Sequence, residues 1–418
     1  MRVRTADVIL SHRTVNERNQ FVSFSDRKRD LLHMELTKEQ LMIQKMAREF
    51  AAKDLAPQAE ERDRNHEYPA ESLRKMGELG LLGMLVPEQY GGEDMDTVSY
   101  ALAMSEVAYA CASTAVIMSV HNSICCGSLI RFGTEEQRTR YLIPMAKGEI
   151  IGSFALSEPE AGSDPASMEM TARKDGDYYI LNGTKRWITG GATSGVFIVL
   201  AKTDPDAGHK GISAFLVTKD MEGFATGRLE DKMGQCASDT TDLIFSECKV
   251  PADHLLGSEG DGFVVAMSGL DDGRIGIAAL SLGLGQAALD QAVAYSKQRV
   301  QFGRPIADNQ GLRWMIADMA TDVEAARLLV LNAAAKKDRG EKCSKEASMA
   351  KLYASEMANR VAGQAIQIHG GYGYTREFPV ERFYRDARVL TIYEGTSQIQ
   401  KIVIASHVIS DRKKRKKK

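Results

Sequence analysis

The order in which helix-forming and strand-forming texture follow one another constrains this 418-residue chain more than any other feature. Between residues 152 and 262, segments such as YYILNGTKRWIT (178–189), VFIVLAKT (196–203) and ISAFLVTK (212–219) are β-branched and aromatic. Asp175-Gly176 and Asn182-Gly183 read as hairpin turns, whose central residues need a positive φ that Gly and Asn accept. On both sides the signals are helical. Thr37 with Gln40 three residues later is a capping box, and Leu41, Met42, Met46 and Phe50 then recur at helical spacing. Pro69 opens another helix, the glycines of YGG at 90–92 interrupt the chain, and Thr134 with Gln137 starts one more. After the β block come Ala-, Leu- and Met-rich stretches at 263–299, 312–337 and 345–368. Strand and helix never alternate, so a doubly wound sheet is disfavoured and an α+β multidomain chain is expected. Its parts are an N-terminal helical domain (34–150), a central antiparallel β domain (151–262) and a C-terminal helical domain (263–410).

The near-neutral total of −2 hides a segregation of charge. Residues 1–33 sum to +3 and the run Arg412 to Lys418 to +7, which leaves −12 on residues 34–411. An acidic body makes nucleic acid a poor partner. Residues 1–33 form a basic leader without periodicity, expected to be disordered, or untranslated if synthesis starts at Met34. Asp7, Glu17, Asp26 and Asp30 are too many acids for a good mitochondrial transit peptide. Residues 411–418 read as a solvated basic tail. No run of 18 apolar residues occurs, which excludes a membrane span on length. The six cysteines show no CxxC spacing, so neither a zinc site nor a disulfide framework is expected, and reduced thiols in a reducing compartment fit better. The eight histidines are scattered, and no metal cluster is expected. Gly283-Leu284-Gly285-Gln286-Ala287-Ala288 fits a relaxed dinucleotide fingerprint. The residues before it are helical, however, and a fingerprint needs a strand there. Close helix packing is the better reading of those glycines.

Five segments exceed what core packing requires. FALSEPEAGSD (154–164) offers small residues and hydroxyls along which a flat ligand can approach the backbone. Trp187-Ile188-Thr189 puts an aromatic plane beside a hydroxyl. QRVQFGRP (298–305) sets an Arg and a Phe at a helix end, suited to a pyrophosphate and a ring. QIHGGYGY (367–374) breaks a helix with paired glycines, and IYEGTSQIQ (392–400) wedges an acid between Tyr393 and Gly395.

Taken in this order, from Met34 to about Ser410, these motifs resemble the acyl-CoA dehydrogenase family, and its short-chain (butyryl-CoA-type) branch most closely. The resemblance implies an N-terminal helical domain, a central β-barrel-like domain and a C-terminal four-helix bundle, assembled as a homotetramer with one FAD per subunit. It implies that Phe154, Ala155, Leu156, Ser157, Gly162 and Ser163 line the flavin, Ser163 also facing the CoA chain. Trp187, Ile188 and Thr189 would form the second flavin wall. Arg299, Phe302 and Gln310 would meet the pyrophosphate and adenosine end. Gln367, Ile368, His369, Gly370 and Gly371 would reach a neighbouring subunit's FAD, and Thr396, Ser397 and Gln398 would touch the cofactor phosphates or adenine end. Asp271 and Arg274 match the pair that holds CoA, with Gly395 beside the substrate, and Glu394 matches the catalytic base.

The implied activity is α,β-dehydrogenation of short, straight or lightly branched acyl-CoA to trans-2-enoyl-CoA. Electrons would pass to electron-transfer flavoprotein, in the bacterial cytoplasm or alternatively the mitochondrial matrix. An acyl-CoA oxidase and a non-catalytic CoA-binding paralogue are the alternatives. The chemistry needs a carboxylate in an apolar slot, because burial would raise it from about 4.3 toward ~6–7, better matched to abstracting the α-proton. In other branches the base sits at the position of Gly273 instead. Two departures stand out: Gly190 where the family commonly has Asn, and Gln398 where it often has Glu.

Overall fold

The computed structural model describes residues 35–415, with side chains to Ile409. The expectations for residues 1–33 lie outside the described residues. The capping box expected at Thr37 forms: its hydroxyl accepts from the Gln40 N–H, and the Gln40 amide oxygen accepts from the Thr37 N–H. It opens helix α1 (Lys38–Phe50). Helices α2 (Thr97–Ala110) and α3 (Ala112–Phe132) follow, the middle of α3 being π-helical over Val120–Cys126. A second capping box forms at Thr134. After the β block come α4 (Gly262–Gln298), α5 (Gln310–Asp338), α6 (Ser344–His369), α7 (Val380–Arg388) and α8 (Ser397–Arg415). The backbone of α8 thus runs through Asp411–Arg415, inside the segment read as a basic tail.

The central sheet contains β1 (Gly152–Ala155), β2 (Thr171–Asp175), β3 (Tyr178–Thr189), β4 (Val196–Lys202), β5 (Ile212–Thr218), β6 (Phe224–Leu229), β7 (Thr240–Pro251) and β8 (Leu255–Leu256). Its order is β6-β7-β3-β2-β4-β5-β8, with β1 added alongside β4. The β1–β4 pairing is parallel, so the sheet is mixed and not purely antiparallel as expected. The β2–β3 hairpin lies in sequence between those two strands, which gives the chain the long connection that a parallel pair requires. Asp175-Gly176 does make the turn into that hairpin, with Gly176 at φ 60°. Asn182-Gly183 does not make a turn. It is a bulge inside β3, where the pairing with β7 shifts register, Gly183 adopts φ 142°, and Asn182 reaches across to Glu247.

The continuous apolar runs of β4 and β5 arise because both sheet faces are covered. Val196, Ile198 and Leu200 join a core with helix α3, while Phe197, Val199 and Ala201 join one on the other face. A third core is shared by the N-terminal and C-terminal helices and centres on α4. The GLG of α4 serves that packing. A methyl at Gly283 would lie 2.1 Å from the Ser105 carbonyl on α2, and one at Gly285 would lie 2.6 Å from Met357 Sδ on α6. Both α3 and α4 are long and apolar enough to cross a membrane by length and composition, so the exclusion on length alone does not hold. Most of each is buried inside the fold, as core helices are. Among the described residues all six cysteines are free thiols.

Candidate active site

The turn between α7 and α8 carries Glu394. Its backbone is left-handed at φ 53°, followed by Gly395 at φ 85°. Glycine accepts that conformation freely, whereas for Glu it stores about 1 kcal/mol or more of strain. Hydrogen bonds hold the turn from outside. The Gln400 amide donates to the carbonyls of Glu394 and Gly395, both at 3.0 Å, and the Lys351 ammonium donates to Gly395 O at 2.7 Å. At the start of α8, Thr396 Oγ1 accepts from the Ile399 N–H, and Ser397 donates to Glu356 at 2.6 Å. The Glu394 side chain is reachable through a cavity, yet its Oε2 is buried without a hydrogen-bond partner. Burial pushes its carboxyl up to about 7, against the pull of the Lys351 and Arg274 charges. A methyl at Gly273 on α4 would lie 2.9 Å from that carboxylate, so the bare backbone of α4 forms one wall of its slot.

Two cavities, of about 300 and 440 Å³, meet at Glu394. The first is apolar, walled by Val120 and Ile124 of α3, Phe263, Met267 and Leu270 of α4, and Ile399 of α8. The second is bordered by Lys232, Gln235, Ser238 and Thr396. Ser157, Gly162, Ser163, Trp187, Thr189 and Gly395 border both. Trp187 reaches this place because β3 bulges between Lys185 and Ile188, which turns its side chain outward. It sits at φ 63°, 56% exposed, with the Arg186 guanidinium 4.6 Å from its ring centre. Ser153 donates to Thr189 O at 2.6 Å and pairs with Ser194 at 2.7 Å. Gly190 stands beside this hydroxyl pair at φ 72°, and a β-carbon there would lie 2.5 Å from Ser194 Oγ.

The remaining anticipated residues fall in three places. Phe154, Leu156, Ile188 and Arg274 line the apolar cavity, and buried Arg274 also donates to Asp271 at 2.5 Å. Ala155, His369, Ile368 and Ser397 are buried. Arg299, Phe302, Gln310 and the segment Gln367 to Gly371 border neither cavity. They lie between the end of α4 and the start of α5, and at the end of α6, instead. Arg299 lies 5.4 Å above the Tyr372 ring, His369 stacks on Tyr295 at 4.2 Å, and Phe302 projects 98% exposed. Gln310 starts α5, and Gln398 is exposed on the first turn of α8.

Three family models match the chain in sequence order. They are described as the acyl-CoA dehydrogenase N-terminal domain (residues 37–149), middle domain (153–248) and C-terminal domain (260–409). The chain belongs to the acyl-CoA dehydrogenase family. An acyl-CoA dehydrogenase of Bacillus subtilis (strain 168) is 51% identical over 376 residues, covering 90% of this chain and 99% of that protein. The mitochondrial short-chain specific acyl-CoA dehydrogenase of Mus musculus is 48% identical over 376 residues, covering 90% and 91%. The solved structure of butyryl-CoA dehydrogenase from Megasphaera elsdenii superposes with a TM-score of 0.89 at 43% identity, covering 90% of this chain and all of that one.

Acyl-CoA dehydrogenases are FAD-dependent oxidoreductases, and the residues present fit that cofactor. A tryptophan is held in a strained conformation with its plane open to a cavity, opposite a loop of small residues and hydroxyls, as a flat ring system needs. Sequence reasoning missed the residues that hold this acyl-CoA dehydrogenase site in shape. Lys351 is fully buried, as is Lys185, which donates to Leu156 O at 3.1 Å and to Glu158 at 2.8 Å. Glu158 in turn accepts from the N–H groups of Glu169 and Met170. Both lysines had a signal. Lys351 shares a helical face with Ala347 and Ala354, and Lys185 lies in the inward phase of Tyr179 and Leu181.

Proposed function

We propose that this chain dehydrogenates short, straight or lightly branched acyl-CoA at the α and β carbons, with Glu394 as the base. One observation carries the reading: a carboxylate whose Oε2 is buried without a hydrogen-bond partner stands where an apolar cavity of about 300 Å³ meets a second cavity walled by Trp187 and Thr189. A thioester α-carbon is a weak acid, so its proton must meet a base whose affinity lies near the working pH. Burial gives Glu394 that affinity. Bound FAD supplies the two-electron acceptor for the β-hydrogen. Trp187, Ile188 and Thr189 would hold one side of it, and Phe154 to Ser157 with Gly162 and Ser163 the other. Arg274, paired to Asp271 beside the apolar cavity, would orient the CoA portion. The apolar residues of α3 and α4 exclude water from Glu394, so that its charge is met by the substrate and not by solvent.

The exposed Phe302 ring and the Arg299–Tyr372 contact support a site completed between subunits of a homotetramer, where Arg299, Phe302, Gln310, Gln367 to Gly371, Thr396 and Gln398 would meet the distal parts of FAD. The acceptor of the electrons would be electron-transfer flavoprotein. Free cysteines support a reducing compartment, the bacterial cytoplasm or alternatively the mitochondrial matrix.

Anaerobic titration of the yellow protein with butyryl-, isobutyryl-, 2-methylbutyryl- and octanoyl-CoA tests the proposal. Prompt bleaching of the flavin by a short acyl-CoA is expected, with octanoyl-CoA slower. Protein that stays colourless in the presence of FAD defeats the reading. Glu394→Gln should keep the flavin and bind enoyl-CoA but lose about 10²–10⁴ in rate.

A further inference from the structure

Lys351 is a buried charge that the mechanism leaves unused. Its side chain has no exposed surface, and an ammonium in such a place must be satisfied by neighbours or be destabilising. Its hydrogen bond goes to the carbonyl of Gly395, at 2.7 Å. That carbonyl belongs to the second of two consecutive left-handed residues, the first being Glu394. Gln400 holds the same carbonyl and that of Glu394 from the other side. The turn would otherwise relax toward ordinary backbone angles and carry the carboxylate away from Gly273.

We propose that Lys351 is a positioning residue for Glu394: its ammonium fixes the left-handed turn, and its charge offsets the cost of holding a carboxylate in an apolar slot. The inference rests on Glu394 being the base. The charged and titratable groups facing Glu394 are Lys351 from α6, Arg274 from α4, Tyr100 from α2, Cys125 from α3 and the adjoining Tyr393. Of these only Lys351 and Arg274 are cations, and Arg274 is already engaged by Asp271. Lys351 itself faces Glu394, Arg274 and Glu356, and Glu356 is engaged by Ser397. Lys351 is therefore both a mechanical clamp and the cation least committed to another acid.

The two roles separate in a pH profile. With butyryl-CoA and a dye acceptor, Lys351→Met should lower kcat at least tenfold. It should also move the acidic limb of kcat/KM upward by half a pH unit or more, since an uncompensated carboxylate holds its proton to higher pH. Flavin content and the dissociation constant for crotonyl-CoA should stay within about twofold of the parent. Lys351→Arg should keep the limb in place, and Gln400→Leu should lower kcat without moving it. An unmoved limb in Lys351→Met, or full activity, overturns the proposal. If Lys351→Met does not fold, the other two variants decide: a limb that shifts in Lys351→Arg, or undiminished kcat in Gln400→Leu, overturns it. Glu394→Gln measured alongside distinguishes the levels, because activity surviving in that variant defeats the base assignment itself, whatever Lys351 does.

Discussion

A carboxylate buried without a partner is charged only at the expense of the fold. Glu394 ionises near 7 in the folded chain against an ordinary value of 4.5. Between those values the folded chain keeps a proton that the unfolded chain has released, so this group's contribution to stability falls as pH rises through that window. The full loss is up to about 3 kcal/mol. Glu394→Gln removes the titration. Its urea midpoint should exceed the parent's at about pH 7.5 and converge with it near pH 4.5, and a difference that ignores pH contradicts the assignment. Gly273 belongs to the same residue-scale argument. The slot where other branches of the family are expected to carry their base is, in space, the slot that the Glu394 carboxylate fills. Gly273→Ala should leave stability within about 1 kcal/mol yet reduce kcat roughly tenfold or more, by pushing the carboxylate off its position.

At the scale of elements, His121 joins helix to sheet. It lies in the π-helical middle of α3, accepts from the Gly152 N–H at Nδ1, and donates from Nε2 to Met145 O, so the neutral imidazole is the bonded form. Burial lowers it to about 4 from 6.5. The unfolded chain then binds the extra proton as pH falls from 6.5 to 4, and stability should decline across that window by up to about 3 kcal/mol. His121→Gln should flatten the decline while being less stable at neutral pH, as read by thermal unfolding at matched ionic strength.

Caps, long helices and doubly buried strands were legible because each is written in local spacing: Thr37 with Gln40, the near-continuous apolar content of α4, the unbroken run of β4. Asn182-Gly183 misled because the dipeptide satisfies a turn and a bulge equally well, and only the cross-strand partner Glu247 decides between them. Lys351 and Lys185 were passed over because a cation in a periodic pattern reads as solvent-facing until its acceptors are known. The signature motifs brought Glu394, Trp187 and Ser163 together. The hydrogen bonds that hold them come from residues distant in sequence and have no motif.

For the whole molecule, Phe302, three residues beyond Arg299, is a large ring left almost fully exposed and so stands to gain from a neighbour. Phe302→Asp should reduce the assembled fraction in size-exclusion chromatography and the FAD content together. Loss of assembly with full FAD would separate the two. The sheet has a consequence of another kind. Strand β1 pairs in parallel with β4, and everything between them in sequence must be laid down before the pair can close. The end of β1 and the loop after it, Phe154 to Ser163, would be one bank of the flavin cleft, while the bank with Trp187 belongs to the β3–β7 ladder, whose paired residues lie farther apart in sequence than those of β1 and β4. Refolding should therefore raise the β1 bank first and leave the cleft open on the Trp187 side until β7 docks, so that capture of the yellow colour coincides with the last kinetic phase.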